Sequence, residues 1–188
     1  MAKGKTPTPL TTTVTYLEMA KPPSGHHPLP INVQAALMRT RDIPLHFYRY
    51  LQYRIGRDFH WVYRLRLDDE TLAAIVHDPA TSIDVLYLDG APAGFFELKR
   101  ESEEVVDLAY FGLMKHAQGR GLGRWFLRQA IDAAWALGPD RVTVNTCTLD
   151  HKAALSLYQK MGFSPIGQTE TFIHPMTDAD HLRLAALD

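Results

Sequence analysis

Apolar residues between Leu122 and Leu137 recur at three- and four-residue spacings: Leu122, Phe126, Leu127, Ala130, Ile131, Ala134 and Leu137. That period lays them on one buried face of a helix. Arg128 and Asp132 form an i,i+4 pair on another face, and Gly138-Pro139 ends the helix. The flanking runs, Val105 to Met114 and Arg141 to Thr148, read as strands. A second helical stripe, Ala154, Leu157, Tyr158 and Met161, follows, with Asp150 as its expected N-cap and Gly162 as its stop. Phe163 to His174 is expected to be the last strand, with a short helix beyond Pro175.

The first half of the chain has weaker periodicity but clear punctuation. Thr11 to Met19 is rich in β-formers and reads as a strand, and Pro22 to Pro28 breaks regular structure. Asp42-Ile43-Pro44 is expected to open a helix that closes with Gly56 at its C′ position. Asp68-Asp69-Glu70-Thr71 opens a second, its acidic first turn favoured by the helix dipole. Ser82 to Leu88 and Ala91 to Arg100 flank Asp89-Gly90, a strong hairpin signal. The order is strand, two helices, three antiparallel strands, helix, strand, helix, strand. This predicts an α/β fold of the α+β type, a mixed, mostly antiparallel sheet with helices on both faces. Residues 1–10 are expected to be a tail and residues 11–188 one domain.

Composition narrows the function classes. A net charge of −1 leaves no electrostatic footprint for nucleic acid, and no apolar run approaches the roughly 20 residues of a membrane helix. The single cysteine, Cys147, suits a reducing compartment, and a cytoplasmic location is expected. No metal, nucleic-acid or membrane partner is expected.

The candidate chemistry lies between the strand ending at Met114 and the helix starting at Leu122, in Gln118-Gly119-Arg120-Gly121-Leu122-Gly123-Arg124. Small residues let main-chain N–H groups close on an anion, the helix N-terminus adds partial positive charge, and Arg120 and Arg124 can bond a diphosphate. The loop is not a P-loop, because Arg124 and Trp125 follow Gly123. Nor is it a dinucleotide fingerprint, because Arg124 stands where its third glycine belongs.

What remains, Gln-x-x-Gly-x-Gly, resembles the acetyl-CoA loop of the GNAT N-acetyltransferases. A second segment, Ala154-Leu-Ser-Leu-Tyr158-Gln-Lys-Met-Gly162-Phe163, resembles that family's other signature, with His151 where the family has Asn. The resemblance covers nearly the whole chain. It implies direct transfer of an acetyl group from acetyl-CoA to a primary amine in a ternary complex.

The same resemblance assigns roles. Gln118 to Arg124 would hold the diphosphate, and His151 would replace the Asn that bonds the pantetheine arm. Asp107, eleven residues before Gln118, would be the base, with Glu97 as its rival. The backbone N–H of Leu113, beside a Gly112 compatible with a bulge, would bind the oxyanion. Tyr158 would protonate the leaving thiolate. An acyl-enzyme on Cys147 is a minor alternative. The segment between the first two helices would wall the acceptor, with Tyr53 and Trp61 nominated for contact. A small-molecule or peptide amine is the expected partner, and a homodimer is compatible with the resemblance. Two other readings are an acyl-CoA-binding module without catalysis and a nucleotide-binding domain using the same loop.

Overall fold

The computed structural model describes residues 7–185. Seven strands are separated by five helices: β1 (Leu10–Met19), β2 (Ala35–Arg39), α1 (Leu45–Gly56), α2 (Asp69–Val76), β3 (Thr81–Leu88), β4 (Ala91–Arg100), β5 (Val105–Leu113), α3 (Leu122–Trp135), β6 (Arg141–Cys147), α4 (Ala154–Lys160), β7 (Ser164–Ile173) and α5 (Asp178–Ala185). One sheet holds all seven strands in the order β2-β3-β4-β5-β6-β1-β7. Every neighbouring pair is antiparallel except β5 and β6. The α/β architecture is the one the periodicity predicted, with one strand more. None of the described helices is long and apolar enough to cross a membrane.

Local sequence explains most boundaries. Asp68 caps α2 by accepting the Thr71 N–H at 2.8 Å. Asp89 and Gly90, both with positive φ, turn β3 into β4. Thr177 and Asp180 form a reciprocal cap at the start of α5. Three local expectations are corrected. Asp42 does not cap α1; its φ is positive, and the helix starts behind Pro44 without a side-chain cap. Gly56 is the last helical residue, with a φ of −88°, and the chain winds on to reverse at His60. Gly56 is needed for another reason: a Cβ there would overlap Trp61. Asp150 does not cap α4, whose N-cap is Ala153; it accepts instead from Cys147 N–H and Thr146 Oγ1, both at 2.8 Å.

Two apolar cores cover opposite faces of the sheet. Leu122, Phe126, Ala130 and Ile131 of α3 and Tyr158 of α4 pack on one. Tyr48, Leu51 and Ile55 of α1 and Leu72 of α2 pack on the other. Complete burial of a side chain such as Phe126 is worth roughly 1.5–3 kcal/mol. The division matters for the site, because the sheet is open between the two cores at one place.

Candidate active site

That opening follows from the single parallel pairing. β5 and β6 run together from Val105/Arg141 to Leu108/Val144, and then part. The rest of β5, from Ala109 onward, has β4 on one side and a gap on the other. A cleft of about 720 Å³ runs through the gap, from the 117–123 loop past Tyr158 to the segment after α1. Main-chain groups of adjacent strand residues point to opposite edges. Met114 N–H donates to Ala93 O of β4 at 2.8 Å. The N–H groups of Leu113 and, two residues earlier, Phe111 therefore face the gap.

At one end of the cleft lies the glycine-rich loop. Gly119 and Gly121 both have φ of +74°, a left-handed conformation that side chains resist. Gly121 is the N-cap of α3 and provides no side-chain bond, so the first N–H groups of the helix are left to a ligand or water. Gln118 Nε2 donates to Leu113 O at 3.0 Å and ties the loop to the end of β5. Gly119, Gly121, Leu122 and Gly123 line the cleft together with Gln118. The exposed Arg120 and Arg124 are not part of its wall, and Arg120 stands 3.8 Å from Asp89. Opposite, His151 lines the cleft with Nδ1 accepting the Ala153 N–H at 3.2 Å. Its Nε2 is left as the donor of the neutral ring.

Gly112 does not mark a bulge. The β4–β5 register is continuous there and shifts instead between Glu97 and Leu98, where Ala109 is the extra residue of β5. The bulge has a consequence for the site. Asp107 pairs with Lys99 and Tyr110 with Glu97, so Asp107 and Tyr110, three residues apart, share the face that α1 covers. Without it they would point to opposite faces. Gly112 is required because Ile55 and Trp61 lie directly against it.

The two candidate bases have opposite surroundings. Asp107 lines the cleft, accepts from Thr143 Oγ1 at 2.6 Å, and has its carboxyl pushed up by burial, with Glu101 and Glu97 adding to the effect and Thr143 opposing it. Glu97 is fully buried and takes no part in the cleft wall. It accepts from Tyr48 Oη at 2.5 Å and from Arg64 Nη2 at 2.8 Å, and so anchors both. Tyr158 is buried on the α3 face yet reaches the cleft through the gap, its ring edge against Phe111. Burial, with Asp150 and Asp107 nearby, pushes its hydroxyl well above the usual tyrosine range. Cys147, half-buried on β6, also lines the cleft.

Trp61 is brought into the cleft, against Tyr110 with ring centroids 5.1 Å apart. Its Nε1–H reaches Asp150 at 3.2 Å, which ties the segment after α1 to the end of β6. Tyr53 is not brought in: it packs on His181 of α5, with Arg57 over its ring. Three residues of the site were not singled out from sequence: Thr143, Asp150 and Arg64. The register of β6 against β5 identifies Thr143 only once the parallel pairing is known. Arg64 gave the one usable signal, a cation at the end of the aromatic run from Phe59 to Tyr63.

The sequence and the fold are similar to those of known proteins. The acetyltransferase (GNAT) family model matches residues 44–163, which include both motifs but not β1, β2, β7 or α5. A curated relative, mycothiol acetyltransferase of Beutenbergia cavernae, is 33% identical over 98 residues, 52% of this chain and 30% of the relative. Among solved structures, a GCN5-related N-acetyltransferase from Sphaerobacter thermophilus superposes with a TM-score of 0.59 at 14% identity, over 90% of this chain and 54% of that one. Another, from Kribbella flavida, gives 0.57 at 16% identity, over 87% and 58%. The chain thus spans under a third of its curated relative and little more than half of these structures.

Proposed function

Because the chain belongs to the acetyltransferase (GNAT) family, we propose that it transfers an acetyl group from acetyl-CoA to a primary amine by direct attack in a ternary complex. The observation that carries this is the uncapped N-terminus of α3 opening, behind two left-handed glycines, on a cleft that Tyr158 and Asp107 also line. The residues present fit the cofactor. Main-chain donors of Gly119 to Gly123 would take the diphosphate, and His151 Nε2–H and the free edge of β5 would hold the pantetheine arm. Acetyl-CoA supplies the acyl group as an activated thioester.

The chain's own groups meet the remaining demands. An amine with a pKa of about 10 arrives protonated, and the Asp107 carboxylate takes that proton, directly or through water. The N–H groups of Leu113 and Phe111, both aimed into the gap, stabilise the carbonyl oxygen as charge develops. The Phe111 ring lies beside Tyr158, with centroids 6.5 Å apart. Tyr158, held protonated by burial, donates its proton to the departing sulfur. Glu97 acts at one remove, by fixing Arg64. Release of CoA thiol over a broad panel of primary amines tests the reading. Acceptor-dependent release with transfer of the acetyl group to nitrogen is expected. Binding of acetyl-CoA without release for any amine would favour an acyl-CoA-binding module instead.

A further inference from the structure

The acceptor end of the cleft contains a cation held in place and left with donors to spare. Arg64 lines the cleft with 21% of its side chain exposed, over the Tyr110 ring at 5.6 Å. Burial works against its charge, but Glu97, Tyr48 and Tyr110 together outweigh that and push the guanidinium further up. Of the five N–H donors a guanidinium carries, one on Nη2 goes to Glu97. Among the described residues no other has a protein partner, and Nε is buried without one. Glu97 is itself fixed by Tyr48, so the guanidinium is anchored before any ligand arrives. The other cation of the wall, Lys99, is engaged by Asp78 at 2.7 Å.

Resting on the acetyl-transfer reading, we infer that the acceptor is a small zwitterion: an amine presented to Asp107 that also bears a carboxylate, bound by Arg64. The bulge at Ala109 places Asp107 and Tyr110, over which Arg64 lies, on one face of the sheet. Along β4 their partners, Lys99 and Glu97, are two residues apart, about 7 Å. A planar guanidinium favours a carboxylate or a phosphate. The carboxylates of Glu101, Asp107 and Asp150 also line the cleft, so a dianionic phosphate meets more repulsion there than a carboxylate. The cleft of about 720 Å³ also has to take the pantetheine arm, which favours a small acceptor over a folded one.

Calorimetric titration of the CoA-loaded protein with matched ligands tests this without requiring turnover. The pairs are phenylalanine against phenethylamine and 4-aminobutyrate against propylamine, with 3-aminopropylphosphonate as the dianion. At least one carboxylate-bearing ligand should bind tenfold or more tightly than its partner, and the phosphonate more weakly. Arg64→Lys, which keeps the charge beside Glu97 but loses the fork, should abolish the preference with CoA affinity unchanged. Equal affinity within both pairs, no binding of any of them, a tighter phosphonate, or a preference surviving in Arg64→Lys would each overturn the inference. Loading with CoA is measured first, so loss of cofactor binding, which counts against the acetyl-transfer reading, is seen separately.

Discussion

Asp107 and Glu97 occupy neighbouring strands and meet different fates, and the difference lies in what each touches. Glu97 is closed in by Tyr48 and Arg64, whereas Asp107 has one hydroxyl partner and a face on the cleft. Burial pushes the Asp107 carboxyl up, so a rate that needs its anion should show an acid limb above the ordinary carboxylate range. The sign for stability is opposite. A carboxyl whose folded pKa is raised stabilises the fold at low pH, and that contribution is lost as pH rises through the folded value. Asp107→Asn should therefore lower turnover by about 100-fold while its Tm at pH 7 equals or exceeds that of the parent. The gain should vanish near pH 4, about the ordinary value of aspartate. A lower Tm with unchanged rate would reverse both assignments. Tyr158→Phe should lower turnover by about 100-fold or more and change CoA affinity by little, as steady-state kinetics and direct titration can separate. That Tyr158, Asp107 and His151 line one cleft was legible because two short motifs fixed their positions. Arg64 was not, since its importance depends on a buried partner thirty-three residues away.

At the scale of elements, glycine positions are the most informative. Those in the loop were read as small residues around an anion; Gly119 and Gly121 also need a left-handed φ, whereas Gly123 does not. Gly56 and Gly112 could not be read correctly, because what they require is the absence of a side chain beneath Trp61 and Ile55. Gly112→Ala should overpack this contact and cost about 1–3 kcal/mol, measurable by urea unfolding; an unchanged midpoint would show that α1 can yield. Gly121→Val should strain the left-handed N-cap of α3 and weaken CoA binding more than it lowers Tm. β2 escaped the sequence reading because its five residues, Ala35 to Arg39, hold no β-branched side chain and form a sheet edge. The bulge at Ala109 left no trace in composition, yet it sets which side chains face the cleft.

For the whole molecule, the least legible feature was the place of β1. Sequence showed a strand, but nothing local says that it lies between β6 and β7, more than a hundred residues away. It pairs with both, from Val14/Cys147 to Met19/Val142 on one side and from Leu10/Ile173 to Glu18/Ser164 on the other. Removal of residues 1–20 should therefore leave two unpaired strand edges and abolish cooperative thermal unfolding. A cooperative transition near the parent Tm would mean that β1 is dispensable. The cleft depends on this half of the sheet, since β6 forms one side of the gap through which the sheet opens between the two cores. The proposed function requires main-chain groups at the start of α3 to hold coenzyme A so that its thioester lies between Asp107 and Tyr158. Calorimetric titration of the folded chain with acetyl-CoA tests it most directly. Saturable binding at one site per chain, weakened in Gly121→Val, is expected; absence of heat at millimolar acetyl-CoA would rule the arrangement out.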